Sequence, residues 1–433
     1  MHSKILFSFF AKIFITISGL VVYGVLARNL NENDYGLFAL SVSIITVLSF
    51  VNSLGMHLSI SKTFPNFLDK SVLKRYISIS YLIGLFIIST IYFFLKKYPI
   101  FFEELNRGFI LEYLFLIIMI SGAIRVRADY FRASKNYTKF LLYNSLSSGG
   151  GVFLWTIFLA AIFILLFLNL LSIDFIILSL LICCFITLLF PIFSSRNLFK
   201  SFKKYVLQFK LFNFDEEYFS FLKSSLSLLF ITILSQYRTF FPLWFIALYL
   251  SPADAGYFFS SMKICSVILF PLSIIDIVFP AEISRLFKEN KIDDLKLLVN
   301  KISTIRFVAS SFIFSFIFLF DDQIITLIFG DNFLLIKEIL YILVFYFVPQ
   351  FIFGPTRMVL MMTNGVSYLR RYDLFSVLFS TMIYFYFSHD ISLKSISIIF
   401  ASLSFINHLF YYLLTYKLIR VNSFPNFFFL KSN

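Results

Sequence analysis

The chain has 433 residues, of which 60% are hydrophobic and only 14% charged, with 64 phenylalanines. A soluble domain averages roughly 45–50% apolar and about 25% charged residues, so this composition excludes a soluble enzyme or binding domain and defines an integral membrane protein. The formal net charge of +14 is accounted for below as membrane topology and does not require nucleic acid.

The apolar run from Ile5 to Ala27 is longer than a signal-peptide core of about 7–15 residues and lacks an Ala-x-Ala site. It is expected to stay attached as the first membrane helix. Apolar runs of roughly 20 residues predict twelve helices, over 5–27, 36–60, 75–95, 108–124, 148–169, 173–194, 218–248, 254–280, 303–320, 332–353, 372–388 and 393–416. The three cysteines, Cys183, Cys184 and Cys265, lie inside these segments and form neither a disulfide framework nor a zinc spacing. The histidines, His2, His57, His389 and His408, are scattered, so metal catalysis has no support.

Between the first two helices stands Ala27-Arg-Asn-Leu-Asn-Glu-Asn-Asp-Tyr-Gly-Leu-Phe38, and a cognate returns at Ala247-Leu-Tyr-Leu-Ser-Pro-Ala-Asp-Ala-Gly-Tyr-Phe258. Five ungapped positions are identical: Ala27/Ala247, Leu30/Leu250, Asp34/Asp254, Gly36/Gly256 and Phe38/Phe258. The chain therefore reads as one six-helix unit written twice. Arg127 after the fourth helix and Arg357 after the tenth are a second echo. Asp34 and Asp254 are expected to cap the helices that follow, and Gly36 and Gly256 to allow close packing.

Lys and Arg set the orientation. Twenty-seven fall in one set of loops and the termini, against six (Arg28, Lys96, Lys97, Arg107, Lys337 and Lys394) in the other. Both termini are therefore expected to be cytoplasmic. The expected organisation is an N-terminal six-helix lobe over 1–195 and a basic cytoplasmic linker over 196–217, which could include an amphipathic helix on the anionic leaflet. A C-terminal lobe over 218–417 and a tail over 418–433 complete it. Six is even, so the lobes should be related by a pseudo-two-fold axis along the membrane normal, with a cavity between them. No far-side loop is large enough for a catalytic domain, and no Gly-x4-Gly-Lys-Ser/Thr phosphate loop occurs. Work must then come from an ion gradient, the membrane potential or the substrate's own gradient.

Four cations fall inside the apolar segments: Lys12, Lys223, Arg238 and Lys263. An ionisable group near the bilayer centre costs about 2.5–3.5 kcal/mol on insertion scales and usually faces a cavity or a partner. Lys263 lies deepest and is expected to line the cavity, with a buried partner or a backbone carbonyl as the alternative. Arg238 precedes Pro242, whose missing N–H should bend the helix beside it; a polar site and snorkelling to the interface both remain open. Lys12 fits substrate contact or snorkelling, Lys223 an interfacial anchor, and Arg28 an anion guide or an anchor. Asp276, the one deep acid, could carry a coupling proton or pair with a cation. Gly149-Gly-Gly151 at the start of the fifth helix suits a hinge or close helix packing.

Ala27-Arg-x-Leu-x-x-x-Asp-Tyr-Gly36, Leu54-Gly55, Asp254-Ala-Gly-Tyr257 and Ile328-Phe-Gly-Asp-x-Phe333 together resemble the polysaccharide-export branch of the multidrug/oligosaccharidyl-lipid/polysaccharide (MOP) exporters, closest to Wzx-type O-antigen flippases. The resemblance implies a MATE/MOP-like all-α fold and alternating access around a cationic lumen. It implies a substrate too: undecaprenyl-diphosphate-linked repeat units of O-antigen, in lipopolysaccharide biosynthesis, moved across a bacterial inner membrane. The partners implied are the lipid-linked oligosaccharide, membrane lipid, and a polymerase and chain-length regulator of the same pathway; no cofactor is implied beyond a proton or sodium gradient. Many relatives carry an acidic residue in the seventh helix where this chain reads Gln236-Tyr-Arg-Thr-Phe-Phe241, so the resemblance supplies no coupling site there. The alternatives are a sibling exporter (of lipid-linked peptidoglycan precursor, teichuronic acid or drugs) and an O-antigen polymerase, which would need a large outward loop.

Overall fold

The computed structural model describes residues 2–56, 59–60, 70–97, 105, 109–134, 136–193, 216–388 and 391–425. Its elements are helical throughout, with no strand among the described residues. The first part of the chain forms α1 (His2–Asn29), α2 (Glu32–Asn52), α3 (Lys70–Lys97), α4 (Ile110–Ala133), the short α5 (Tyr137–Leu142), α6 (Val152–Phe167) and α7 (Ile173–Phe193). It continues as α8 (Glu216–Tyr249), α9 (Pro252–Ser266), α10 (Phe270–Lys288), α11 (Ile292–Leu319) and α12 (Asp321–Ile328). The last elements are α13 (Lys337–Ile352), α14 (Thr356–Met362), α15 (Val366–Tyr386) and α16 (Leu393–Ile419). Each predicted apolar segment overlaps one of these helices, except that over 254–280, which falls on two. Among the described residues, eight helices are long and apolar enough to cross a membrane.

Several boundaries differ from the sequence reading: α2, expected over 36–60, ends at Asn52, and three further differences bear on the charges and on a helix break. The helix expected over 108–124 runs on to Ala133, so Arg125, Arg127, Asp129 and Arg132 ride on a helix where loop charges were expected. The helix continues with these charges partnered, Asp129 by Arg132 three residues on and Arg127 by carbonyls of α7, and Arg125 and Asp129 end up buried. The segment expected over 254–280 is broken: α9 stops at Ser266, a 3-10 turn covers Val267–Leu269, and α10 restarts with a proline in its first turn. Pro271 cannot donate the N–H that would carry the α-helix through. Finally, α11 begins at Ile292 with Asp293 and Asp294 in its first turn, where carboxylates favour the helix dipole.

The repeat is visible in the register of the helices. α2 starts at Glu32 and α9 at Pro252, the cognate position. The caps, however, are Asn31 and Ser251, not the aspartates. Asn31 accepts the N–H of Asp34 at 2.7 Å and Ser251 that of Asp254 at 3.0 Å. Each aspartate sits in the first turn and takes a side-chain bond back from its cap, Asn31 Nδ2 at 2.9 Å and Ser251 Oγ at 2.6 Å. Asn and Ser win because their short side chains accept from the third N–H while their own backbone stays extended. Gly36 and Gly256 are both buried.

The contacts divide the chain into two compact units, Met1–Val22 with Asn29–Tyr237, and Tyr23–Arg28 with Arg238–Asn433. The division falls inside α1 and α8, so each unit takes part of both helices. In the first unit the start of α8 packs on α3, where Tyr76, Ile79, Tyr218 and Phe221 form a buried cluster and the Tyr76 hydroxyl donates to Glu217 at 3.3 Å. In the second, α13 and α16 are joined by Tyr346 stacked on Phe400 at 4.0 Å and by Ser404 Oγ donating to the Tyr346 carbonyl at 2.8 Å. The expected linker over 196–217 lies outside the described residues up to position 215.

Candidate functional site

Lys263 sits one helical turn beyond Phe259 on α9. Side chains on a helix lean toward its N-terminus, which carries the Lys263 ammonium back over that ring. Its Nζ lies 4.6 Å from the Phe259 ring centre and 4.7 Å from that of Tyr23. The two rings meet edge to face at 5.3 Å. Among the described residues no carboxylate stands within ion-pair distance of Lys263. Each cation–π contact is worth about 0.5–2 kcal/mol, so the two together roughly offset the 2.5–3.5 kcal/mol that insertion of such a charge costs but supply no opposite charge. The residue is half-buried, and this is the arrangement an anionic ligand would complete. Asp276 belongs to α10, but its side chain lies outside the described residues.

Arg238 is not a lone cation. α8 continues through Pro242, and Arg238 pairs with Asp373 of α15 at 3.1 Å. The other oxygen of Asp373 takes Arg357 of α14 at 3.0 Å. Tyr411 of α16 donates its hydroxyl to Asp373 at 2.5 Å, and Arg238 donates to Ser376 at 3.3 Å. Asn407 then accepts from Ser376 at 2.6 Å and from Tyr372 at 2.9 Å. Two arginines thus share one fully buried carboxylate, leaving the cluster with a single excess positive charge.

In the sequence Asp373 follows Arg370-Arg371 at the start of a predicted segment, where a charge is ordinary. A signal was nevertheless present. Asp373, Ser376, Ser380 and Tyr384 recur at helical spacing, all buried on α15, as are Ser397, Ser404, Asn407 and Tyr411 on α16. A polar stripe at that spacing inside apolar helices marks a helix–helix seam joined by hydrogen bonds.

The remaining predicted cations are placed differently. Arg28 is exposed and donates to the Thr326 and Leu327 carbonyls at 2.5 and 2.6 Å, capping the last turn of α12, where cations are favoured. The neighbouring Ile328–Phe333 motif docks against the same stretch of α1. Gly24 lies so close to the Ile328 carbonyl that no Cβ fits, while Phe333 packs on Tyr257 at 5.3 Å. Lys12 is half-buried in α1 and engaged, and Lys223 is exposed on α8.

A multi-pass helical membrane protein with this element order has the fold of the MOP-superfamily transporters. It superposes on an inward-facing multidrug resistance MATE family transporter of that superfamily with a TM-score of 0.65 at 13% identity, over 96% of this chain and 98% of the other. It superposes on an outward-facing MATE family transporter at 0.64 and 16%, over 96% and 95%. A MOP superfamily transporter from Pyrococcus furiosus, described as having a binding pocket of reverse polarity, gives 0.63 and 15%, over 96% and 95%. No curated protein matches the chain in sequence. Residues 25–338 match the family described as "Polysaccharide biosynthesis protein", and the chain belongs to that family. The chain thus combines membership of the polysaccharide biosynthesis family with the fold of MOP-superfamily transporters.

Proposed function

We propose that this protein is a flippase for undecaprenyl-diphosphate-linked repeat units of O-antigen or a related polysaccharide. It carries them from the cytoplasmic to the periplasmic leaflet of a bacterial inner membrane by alternating access, with both termini cytoplasmic. The observation that carries the reading is the half-buried residue Lys263, its ammonium held on two aromatic rings with no carboxylate in ion-pair distance among the described residues, in a chain of the polysaccharide biosynthesis family. A diphosphate supplies the missing counter-charge, while the prenyl tail stays in lipid. The excess of Lys and Arg in one set of loops supports the orientation. A proton or sodium gradient drives the cycle, with Asp276 as the candidate coupling acid, and the pathway's polymerase and chain-length regulator take up the product.

The test is the leaflet in which lipid-linked repeat units accumulate in a strain lacking this gene. Accumulation on the cytoplasmic side, relieved by the wild type but not by Lys263→Ala at equal membrane level, is expected. Accumulation on the periplasmic side would overturn the reading in favour of polymerisation. Relief by Lys263→Ala as complete as by wild type would remove Lys263 from the substrate path.

A further inference from the structure

The first unit holds a buried cation that the proposed function does not use. The last turns of α4 carry three guanidinium groups, Arg125, Arg127 and Arg132, against one carboxylate, Asp129. Arg132 takes that carboxylate at 2.8 Å. Arg127 donates to the Thr187 and Leu188 carbonyls of α7 at 2.8 and 2.5 Å. Arg125 makes neither contact at hydrogen-bond distance, though Asp129, one turn on, also acts on it electrostatically. It is 6% exposed, its guanidinium carbon lies 3.6 Å from the ring centre of Phe50, and it donates one hydrogen bond, to Ser147 Oγ at 3.0 Å. Its buried Nε has no partner among the described residues. A guanidinium carries five N–H donors, and one carboxylate shared among three arginines leaves the last turns of α4 with a net positive charge.

Ser147 belongs to Ser145-Leu-Ser-Ser-Gly-Gly-Gly151, the glycine stretch that no step of transport has absorbed. The Ser145 and Ser147 hydroxyls are 2.8 Å apart, so the acceptor of Arg125 is itself part of a hydroxyl pair. Gly149 and Gly150 take left-handed backbone with φ of +86° and +79°, a turn that side chains resist. Behind them α6 begins at Val152 with no side chain capping its first N–H groups. The outer edge of the loop is open: a Cβ on Gly149 would meet no atom within 4 Å. A buried arginine, paired hydroxyls and an uncapped helix start are the donor set of a phosphate group.

We propose that Arg125 and the Ser145–Gly151 loop form an anion site within the first unit, taking a phosphate group. That phosphate belongs either to an anionic membrane lipid or to the diphosphate of a polyprenyl carrier. The site stands on its own geometry, and only its assignment to the carrier diphosphate rests on the flippase reading.

The full chain is reconstituted in phosphatidylcholine nanodiscs, and its unfolding midpoint is followed against two probes: phosphatidylglycerol in the bilayer, and farnesyl diphosphate added from solution. A saturable rise is expected in the wild type with at least one probe. The half-saturating level should increase about tenfold in Arg125→Gln and roughly threefold in Ser147→Ala, the scale of losing a charge-assisted or a neutral hydrogen bond. Response to phosphatidylglycerol alone assigns a lipid headgroup, and response to farnesyl diphosphate assigns the carrier. A purely structural Arg125 would lower the midpoint equally with and without probe and leave half-saturation unchanged, which overturns the site, as does a wild type that responds to neither probe. Should Arg125→Gln fail to fold, Arg125→Lys and Ser147→Ala decide: unchanged half-saturation in both overturns it. Arg125-dependent binding of phosphatidylglycerol would persist even if the leaflet assay rejected the flippase, so the two failures are distinguishable.

Discussion

Arg238 and Asp373 form an ion pair at 3.1 Å that fastens α8 to α15, and the same carboxylate holds Arg357 at 3.0 Å. The Asp373 side chain is wholly buried, so its removal leaves two guanidinium groups facing each other in a low-dielectric interior. Asp373→Ala should cost about 3–5 kcal/mol, the usual penalty for stripping one partner from a buried pair. Thermal unfolding of the purified protein in detergent reads this directly. Adding Arg238→Met to the same variant should recover part of the loss, because one uncompensated charge is removed. A midpoint within a degree of wild type for Asp373→Ala would show that the cluster contributes no net stability.

Lys263 makes the opposite prediction. Among the described residues its ammonium meets two ring faces, each worth about 0.5–2 kcal/mol, which roughly offset the insertion cost of about 2.5–3.5 kcal/mol. Lys263→Met should therefore leave the unfolding midpoint nearly unchanged, while abolishing relief of the cytoplasmic accumulation of lipid-linked repeats. Equal losses of stability and transport would instead assign Lys263 a structural role.

Two glycines on α1 should respond differently to the same substitution. A Cβ on Gly19 would stand 3.5 Å from the Trp155 ring, ordinary contact distance, whereas one on Gly24 would collide with the Ile328 carbonyl. Gly19→Ala should be neutral or stabilising by up to about 1 kcal/mol, from helix propensity. Gly24→Ala should cost about 1–3 kcal/mol, because backbone atoms must shift. Folded yield by fluorescence-detected size exclusion separates them, and equal yields would contradict the docking of α12 on α1.

The caps give a matched pair. Asn31→Ala and Ser251→Ala each remove the acceptor for a first-turn N–H and should cost roughly 1 kcal/mol. Asp34→Ala and Asp254→Ala remove only a carboxylate near a helix N-terminus, worth about 0.3–1 kcal/mol. Unfolding midpoints should therefore fall further for the cap variants. The reverse order would restore the aspartates to the capping role first expected of them.

The helices were legible because the bilayer imposes a simple rule. A spanning segment must satisfy its own backbone and present apolar side chains, so length and hydropathy suffice to find it. Where the rule is blurred, the reading slipped. The arginines from Arg125 onward predict a loop where α4 continues to Ala133, and the apolar run around Pro271 predicts one helix where α9 and α10 are two. The repeat was legible to the residue, since a shared cap register leaves a spacing in sequence even when the capping residue changes from Asn to Ser.

By itself, the sequence determined the membrane class, the helical segments, the repeated turn and the MOP-type resemblance, all of which depend on local composition and short spacing. Only the tertiary structure decided what each charge does. Arg238, Arg125 and Lys263 are alike in sequence, each a cation on a helix rich in apolar residues. In the fold the first meets Asp373, the second meets Phe50 and a serine, and the third meets Tyr23 and Phe259. Their compensation comes from residues distant in the chain. The energy of a buried charge is set by its partners in space, and sequence spacing does not encode them.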